Sequence, residues 1–91
     1  VTTFNINGQL RFRLTTSGER HLRDHLAREA RLCNAASPFG RKIADDEGMP
    51  KPLPDGRVEM TAWGVFHIFG PRCFIGADPV FERNELEVVR P

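Results

Sequence analysis

Lysine, serine and cysteine are scarce in this chain, and the short motifs that mark a nucleotide or zinc site are missing. Two lysines stand against eleven arginines, and 13 basic residues against 12 acidic ones leave a formal net charge of +1. A dedicated nucleic-acid binder is far more basic. No apolar run approaches the roughly eighteen residues that a membrane helix needs, and no secretory h-region follows the first residues. The expectation is a cytoplasmic chain with no membrane association and, from the opening "VTTFN", a natural beginning rather than an excised piece. In that compartment Cys33 and Cys73, forty residues apart, read as buried small hydrophobes and not as a disulfide.

Two serines, Ser17 and Ser37, are the whole supply of that nucleophile, and Ser17 falls in a helix-capping turn. Cys33 and His25 fall two turns apart on one helix, beyond hydrogen-bond reach. Asp45 and Asp46 sit in a charged loop run, where carboxylates are solvated. GxxxxGK[ST], GxGxxG and CxxC are all absent. No catalytic residue and no cofactor is therefore assigned, and the chain is expected not to be an enzyme. His21 and His25 are four apart on a helix, a spacing that lets two imidazoles meet one metal. No recognisable second pair of ligands joins them, so no metal is expected.

What is present suits a small folded domain. Ninety-one residues, 40% hydrophobic and 27% charged, suffice for one domain spanning 1–91 around one compact core. Charge is unevenly placed: residues 1–42 hold eight basic and three acidic groups, net +5, and residues 43–91 hold five and nine, net −4. Such a split makes a dipolar molecule or is neutralised within the fold.

Along the chain, "TTFNINGQLRFRLT" predicts a β-hairpin. Asn7-Gly8 suits a type I′ turn, with Phe4 and Ile6 on one arm and Leu10, Phe12 and Leu14 alternating with Arg11 and Arg13 on the other. Thr16 and Glu19 have capping-box spacing, so a helix over 16–33 should follow, ending near Asn34. Its buried stripe would be Leu22, Leu26, Ala30 and Cys33, with Asp24–Arg28 as a favourable i,i+4 pair. Residues 36–57 hold four prolines and three glycines in twenty-two positions, so a long loop is expected over about 36–56, closed by Asp55-Gly56. A short strand at 57–60 comes next.

"AWGVFHIFGPRCFIG" is the least polar stretch. Its spacing predicts a buried helix over 61–69, capped by Thr61 and stopped by a left-handed Gly70 before Pro71, with a strand as the alternative. Trp63, Phe66 and His67 share one side, and Val65 and Phe69 share another. Trp63 and Phe66 are expected in the core. "NELEVVRP" closes the chain as a strand with Leu86 and Val88 inward. The fold class is thus α+β: a small antiparallel sheet (N-terminal hairpin, middle strand, C-terminal strand) packed with one amphipathic helix and one short buried helix.

Two surfaces could recognise a partner. Arg11, Arg13, Arg20, Arg23, Arg28, Arg31, Arg41 and Lys42 would form one basic face if the hairpin and helix lie side by side. Trp63, Phe39, Phe74 and Phe81 are aromatic anchor candidates, because large aromatics dominate interfaces. The expected function is a non-enzymatic protein–protein interaction module with an unidentified protein partner. Nucleic-acid binding through the arginine face is the rival reading.

The order "RFRLTTSG", helix, Pro-rich loop, "DGRVEMTAWGVFHIFGP" and "GADPVFERNELEV" resembles small orphan proteins encoded by phages and prophages. It covers most of the chain, and W-x-x-F-x-I-F-G-P at 63–71 is its most specific part. The resemblance implies a phage or prophage origin and a single-purpose effector that binds a host or phage complex, anti-defence proteins among them. It implies no site residue.

Overall fold

A computed structural model describes residues 5–73 and 76–89. Strand β1 (Gln9–Phe12) is central in a three-stranded antiparallel sheet, between β2 (Val58–Thr61) and β3 (Glu87–Val88). Helix α1 (Thr16–Ala36) follows β1, and helix α2 (Ala62–Phe69) follows β2 with no intervening residue. The result is a small α+β fold. No helix among the described residues is long and apolar enough to cross a membrane.

Alternation along β1 sends Leu10 and Phe12 into the core, at 3% and 2% exposure, and leaves Arg11 and Arg13 on the opposite face. The expected N-terminal hairpin does not fill either edge of β1, since β2 and β3 occupy both. Residues 5–8 make a turn instead. Gly8 N–H donates to the Asn5 carbonyl (2.8 Å), and Asn7 N–H to Asn5 Oδ1 (2.9 Å). Neither Asn7 nor Gly8 has positive φ, so the type I′ turn is not formed; Phe4 lies outside the described residues. The carbonyls of Gly8 and Ile6 accept from Ala62 N–H (2.9 Å) and Trp63 N–H (3.1 Å). These are first-turn amides of α2, which have no partner within their own helix and no side-chain cap from Thr61. Tertiary demand thus overrides the local turn signal.

The cap of α1 lies one residue earlier than expected. Thr15 Oγ1 accepts from Gly18 N–H (3.0 Å) and donates to the Pro79 carbonyl (2.5 Å), while Thr15 N–H donates to the Val80 carbonyl (3.1 Å). The 79–81 segment is thereby fastened across the start of α1, and Phe81 bridges to Leu14. Gly18 makes this crossing feasible: a Cβ there would lie 2.0 Å from the Val80 carbonyl oxygen. At its other end α1 runs to Ala36, past the expected Asn34. Asn34 clamps the loop instead, its amide group pairing both backbone groups of Ile43 (2.8 and 3.0 Å).

The inner stripe of α1 keeps Leu22 and Ala30 buried and Leu26 partly so, but Cys33 is exposed, as is Cys73. The expectation of two buried cysteines is corrected. The C-terminal part of α1 extends beyond the packed body, and Leu32 there is also exposed. Glu19–Arg23 (2.9 Å), and not Asp24–Arg28, forms as an i,i+4 arginine–carboxylate pair on α1. Residues 37–57 carry no helix or strand, and Gly56 (φ +87) supplies the left-handed position of the Asp55-Gly56 turn.

Residues 62–69 are helical, which decides against the strand alternative. The face that is buried is the other one, however. Ala62, Val65, Ile68 and Phe69 enter the core, whereas Trp63 and Phe66 are 54% and 49% exposed. The core expectation for that pair is corrected, because Val65 and Phe69 already fill the space over the sheet. Gly70 is right-handed (φ −50°) and opens a 3-10 turn, Gly70–Arg72, rather than forming a left-handed stop. Val88, expected inward, is exposed on the two-residue edge strand β3, while Leu86 packs against the core. Phe81, expected as a surface anchor, is core at 5% exposure.

Two stability outcomes follow. Phe69→Ala removes a fully buried ring and should cost about 3–5 kcal/mol, whereas half-exposed Phe66→Ala should cost about 1 kcal/mol or less. Denaturant midpoints of the two variants check the ranking, and equal losses would contradict it. Gly18→Ala puts the best helix former into a helix, yet should destabilise by about 1–3 kcal/mol because the Val80 backbone blocks the new methyl. A raised midpoint for this variant would disprove the close crossing.

Candidate functional site

The outward side of α2 concentrates the exposed apolar surface. Trp63 and Phe66 are three apart and His67 is four from Trp63, so the three share one helical face. The Trp63 and His67 rings lie 6.4 Å apart, tilted by 48°. The bond from Trp63 N–H to the Ile6 carbonyl brings Ile6, itself 55% exposed, beside the start of the helix. The backbone of this surface is held firmly, because the same helix buries Val65 and Phe69 on its inner side.

All three histidines of the chain collect where α2 meets α1. His25 on α1 and His67 on α2 meet edge to face, with ring centroids 5.7 Å apart. His21 Nε2 lies 2.5 Å from the Ile68 carbonyl. A carbonyl only accepts, so His21 donates there and caps the C-terminal end of α2. His21 is thus engaged by α2 backbone rather than aimed at a metal shared with His25. Among the described residues no group of three or more histidine, cysteine or carboxylate side chains is placed to hold a metal ion. Burial between the helices holds the His25 ring below its ordinary pKa of 6.5; Glu29 opposes this, and His67, His21 and Arg28 add to it.

The arginine candidates do not form one face. Arg11 and Arg13 project from the open side of the sheet, while α1 lies on the side of Leu10 and Phe12. Arg11 donates from Nε and Nη2 to Glu59 Oε1 on β2 (2.9 and 2.6 Å). Arg13 meets Glu82 (3.3 Å), Arg23 meets Glu19 and Arg41 meets Glu47 (2.8 Å). Arg20, Arg28 and Arg31 line the outer side of α1, and Lys42 is exposed in the loop; these four make no ion pair among the described residues. Arg57, which sequence reasoning did not single out, ties two acidic groups together: Asp55 (2.6 Å) and Glu87 on β3 (2.5 Å). Bonds from the Arg57 backbone and guanidinium pull the Asp55 carboxyl below its usual range. Across the sheet the acidic second half of the sequence thus offsets two arginines of the basic first half, Arg11 and Arg13, and leaves those on the outer side of α1 unpaired.

Of the aromatic candidates, Trp63 stands on the α2 surface, and Phe39 is fully exposed in the turn after α1. Phe81 is core, and Phe74 lies outside the described residues. Phe66, Ile6 and His67 complete the surface and were missed. The common side of Trp63, Phe66 and His67 was legible as a pattern, but nothing in it says which side faces water. A cleft of about 410 Å³ lies under the Pro-rich loop, walled by Leu14, Met49, Pro52 and Val58, with the Glu19–Arg23 pair beside them. No serine, threonine, cysteine or histidine lines it.

The lowered His25 pKa gives a signed pH dependence. Just below pH 6.5 the unfolded chain binds a proton at His25 more readily than the folded one. Its contribution is therefore complete above that value and is lost as pH falls through the lower folded pKa. Denaturant unfolding at about pH 7.5 and about pH 5.5 should show less stability at the acid end, and His25→Gln should reduce the difference. An unchanged difference in that variant would contradict the assignment. No family model, no curated protein and no solved structure matches the chain, so the chemistry of these surfaces is the ground on which function rests.

Proposed function

We propose that the chain is a non-enzymatic protein–protein interaction module that docks through the outer face of α2. One observation carries this reading. Trp63 and Phe66 stand half exposed, together, on a helix whose opposite side is core. Rigid aromatics bury large area on association and lose little conformational freedom, so they serve as central anchors. Exposing a tryptophan and a phenylalanine on an ordered helix is costly in water unless something else covers them. The partner's complementary patch is apolar. In the wider reading the module is a small phage-type effector that acts by occupying a host or phage complex, an origin supported by the resemblance of residues 11–18, 55–71 and 76–88.

Ion pairing weighs on the same side. Arg11, Arg13, Arg23 and Arg41 already hold carboxylates, and the sheet arginines lie across the core from those of α1. Among the described residues the unpaired arginines of the expected basic face are confined to α1, at Arg20, Arg28 and Arg31, and the sheet adds no free charge to them for a phosphate backbone.

Affinity capture from the native host with mass spectrometry, followed by titration with the captured protein, tests the reading. Trp63→Ala and Phe66→Ala should each weaken the complex by about 30-fold or more, as truncation of a central anchor costs roughly 2 kcal/mol. Affinity should change little with salt. Two results would overturn the reading: unchanged affinity in the double variant, or micromolar DNA or RNA binding at physiological salt that Arg11→Glu with Arg13→Glu abolishes while the fold survives.

A further inference from the structure

We propose that His25 and His67 form a proton-operated switch between α1 and α2 that governs how the Trp63 ring is presented. The inference rests on the docking reading for its biological consequence, but its test does not.

The geometry has three parts. The His25 and His67 rings join the two helices edge to face, 5.7 Å apart, a contact suited to neutral imidazoles. The indole of Trp63 lies 6.4 Å from the His67 ring, tilted by 48°. His21 holds the Ile68 carbonyl at the end of α2, one turn along α1 from His25. His67 therefore neighbours both a partly buried imidazole and an exposed indole, on the helix face that also carries Phe66.

Protonation changes both contacts in opposite senses. With both rings charged, two cations face each other across the helix contact. From α1, Arg28 and a protonated His21 would add to the repulsion, and Glu29, 3.9 Å from His25, is the carboxylate that opposes it. The face of an indole, by contrast, attracts a cation. A charged His67 is thus pushed from His25 and drawn towards Trp63. Acid engages the indole within the chain and loosens the α1–α2 contact. Neutral pH leaves the indole exposed and the helices packed. The lowered pKa of His25 agrees with this picture: desolvation is its main cause, and the neighbouring His67 acts in the same direction.

The chain's single tryptophan makes the switch directly observable without any partner. Trp63 emission is followed from pH 8 to pH 5 in the whole chain, with far-UV circular dichroism on the same samples. The expected result is a quenching step as pH falls, because an imidazolium beside an indole quenches it, with helical signal unchanged. His67→Gln should abolish the step, and His25→Gln, which removes the imidazole that pushes His67 towards the indole, should reduce its size. A flat emission profile in the parent, or a step that survives His67→Gln, would overturn the proposal. So would a step that coincides with loss of helical signal, which marks acid unfolding. Because no partner enters the measurement, a docking face that failed its own test would leave this outcome unaffected.

Discussion

The rings of Phe12, Phe69 and Phe81 meet edge to face, with centroids 5.0 to 6.0 Å apart, and each arrives on a different segment: β1, α2 and the run leading to β3. Edge-to-face packing satisfies the ring quadrupoles as well as burying area. In a chain this short no second core can compensate for loss of the first. Leu22 of α1 joins the same cluster, so helix, sheet and C-terminal run are all referred to one point. The consequence is that α2 must turn its Val65–Phe69 side inward, and its Trp63–Phe66 side is left to the surface.

That constraint links fold to function. A helix of eight residues has little room to be amphipathic when nearly all its side chains are apolar. Once one side is fixed by the phenylalanine cluster, the aromatics on the other side are displayed on a rigid support. Their position is made firmer by the Ile6 and Gly8 carbonyls, which satisfy the first amides of the helix. The histidines lie along the seam that this arrangement creates, so a change of protonation there acts on the same surface.

Charge plays a different part. The open face of the sheet is a set of arginine–carboxylate pairs drawn from both halves of the chain: Arg11 with Glu59, Arg13 with Glu82, and Arg57 with Asp55 and Glu87. Each pair is partly solvated and contributes modestly to stability. Opposite charges directly across strands favour this pairing, with Arg11 set between Glu59 and Glu87 in register.

Some of this was written in local patterns of the sequence alone. Leu10 and Phe12 alternate with Arg11, Leu22 and Ala30 recur at helical spacing, Asp55-Gly56 makes its turn, and Thr61 precedes a helix that ends at Phe69. Each of these depends on residues within a turn or two of one another, so periodicity and turn chemistry suffice. The tertiary structure alone decided which apolar side of α2 is core, that Phe81 is buried while Phe66 is not, and that Cys33 lies beyond the packed body. It alone placed β2 and β3, rather than an N-terminal hairpin, beside β1. Those outcomes turn on which distant segments compete for one small volume and one pair of strand edges. Two apolar faces of similar hydrophobicity look alike in a sequence; only the shape already filled by Phe12 and Phe81 breaks the tie.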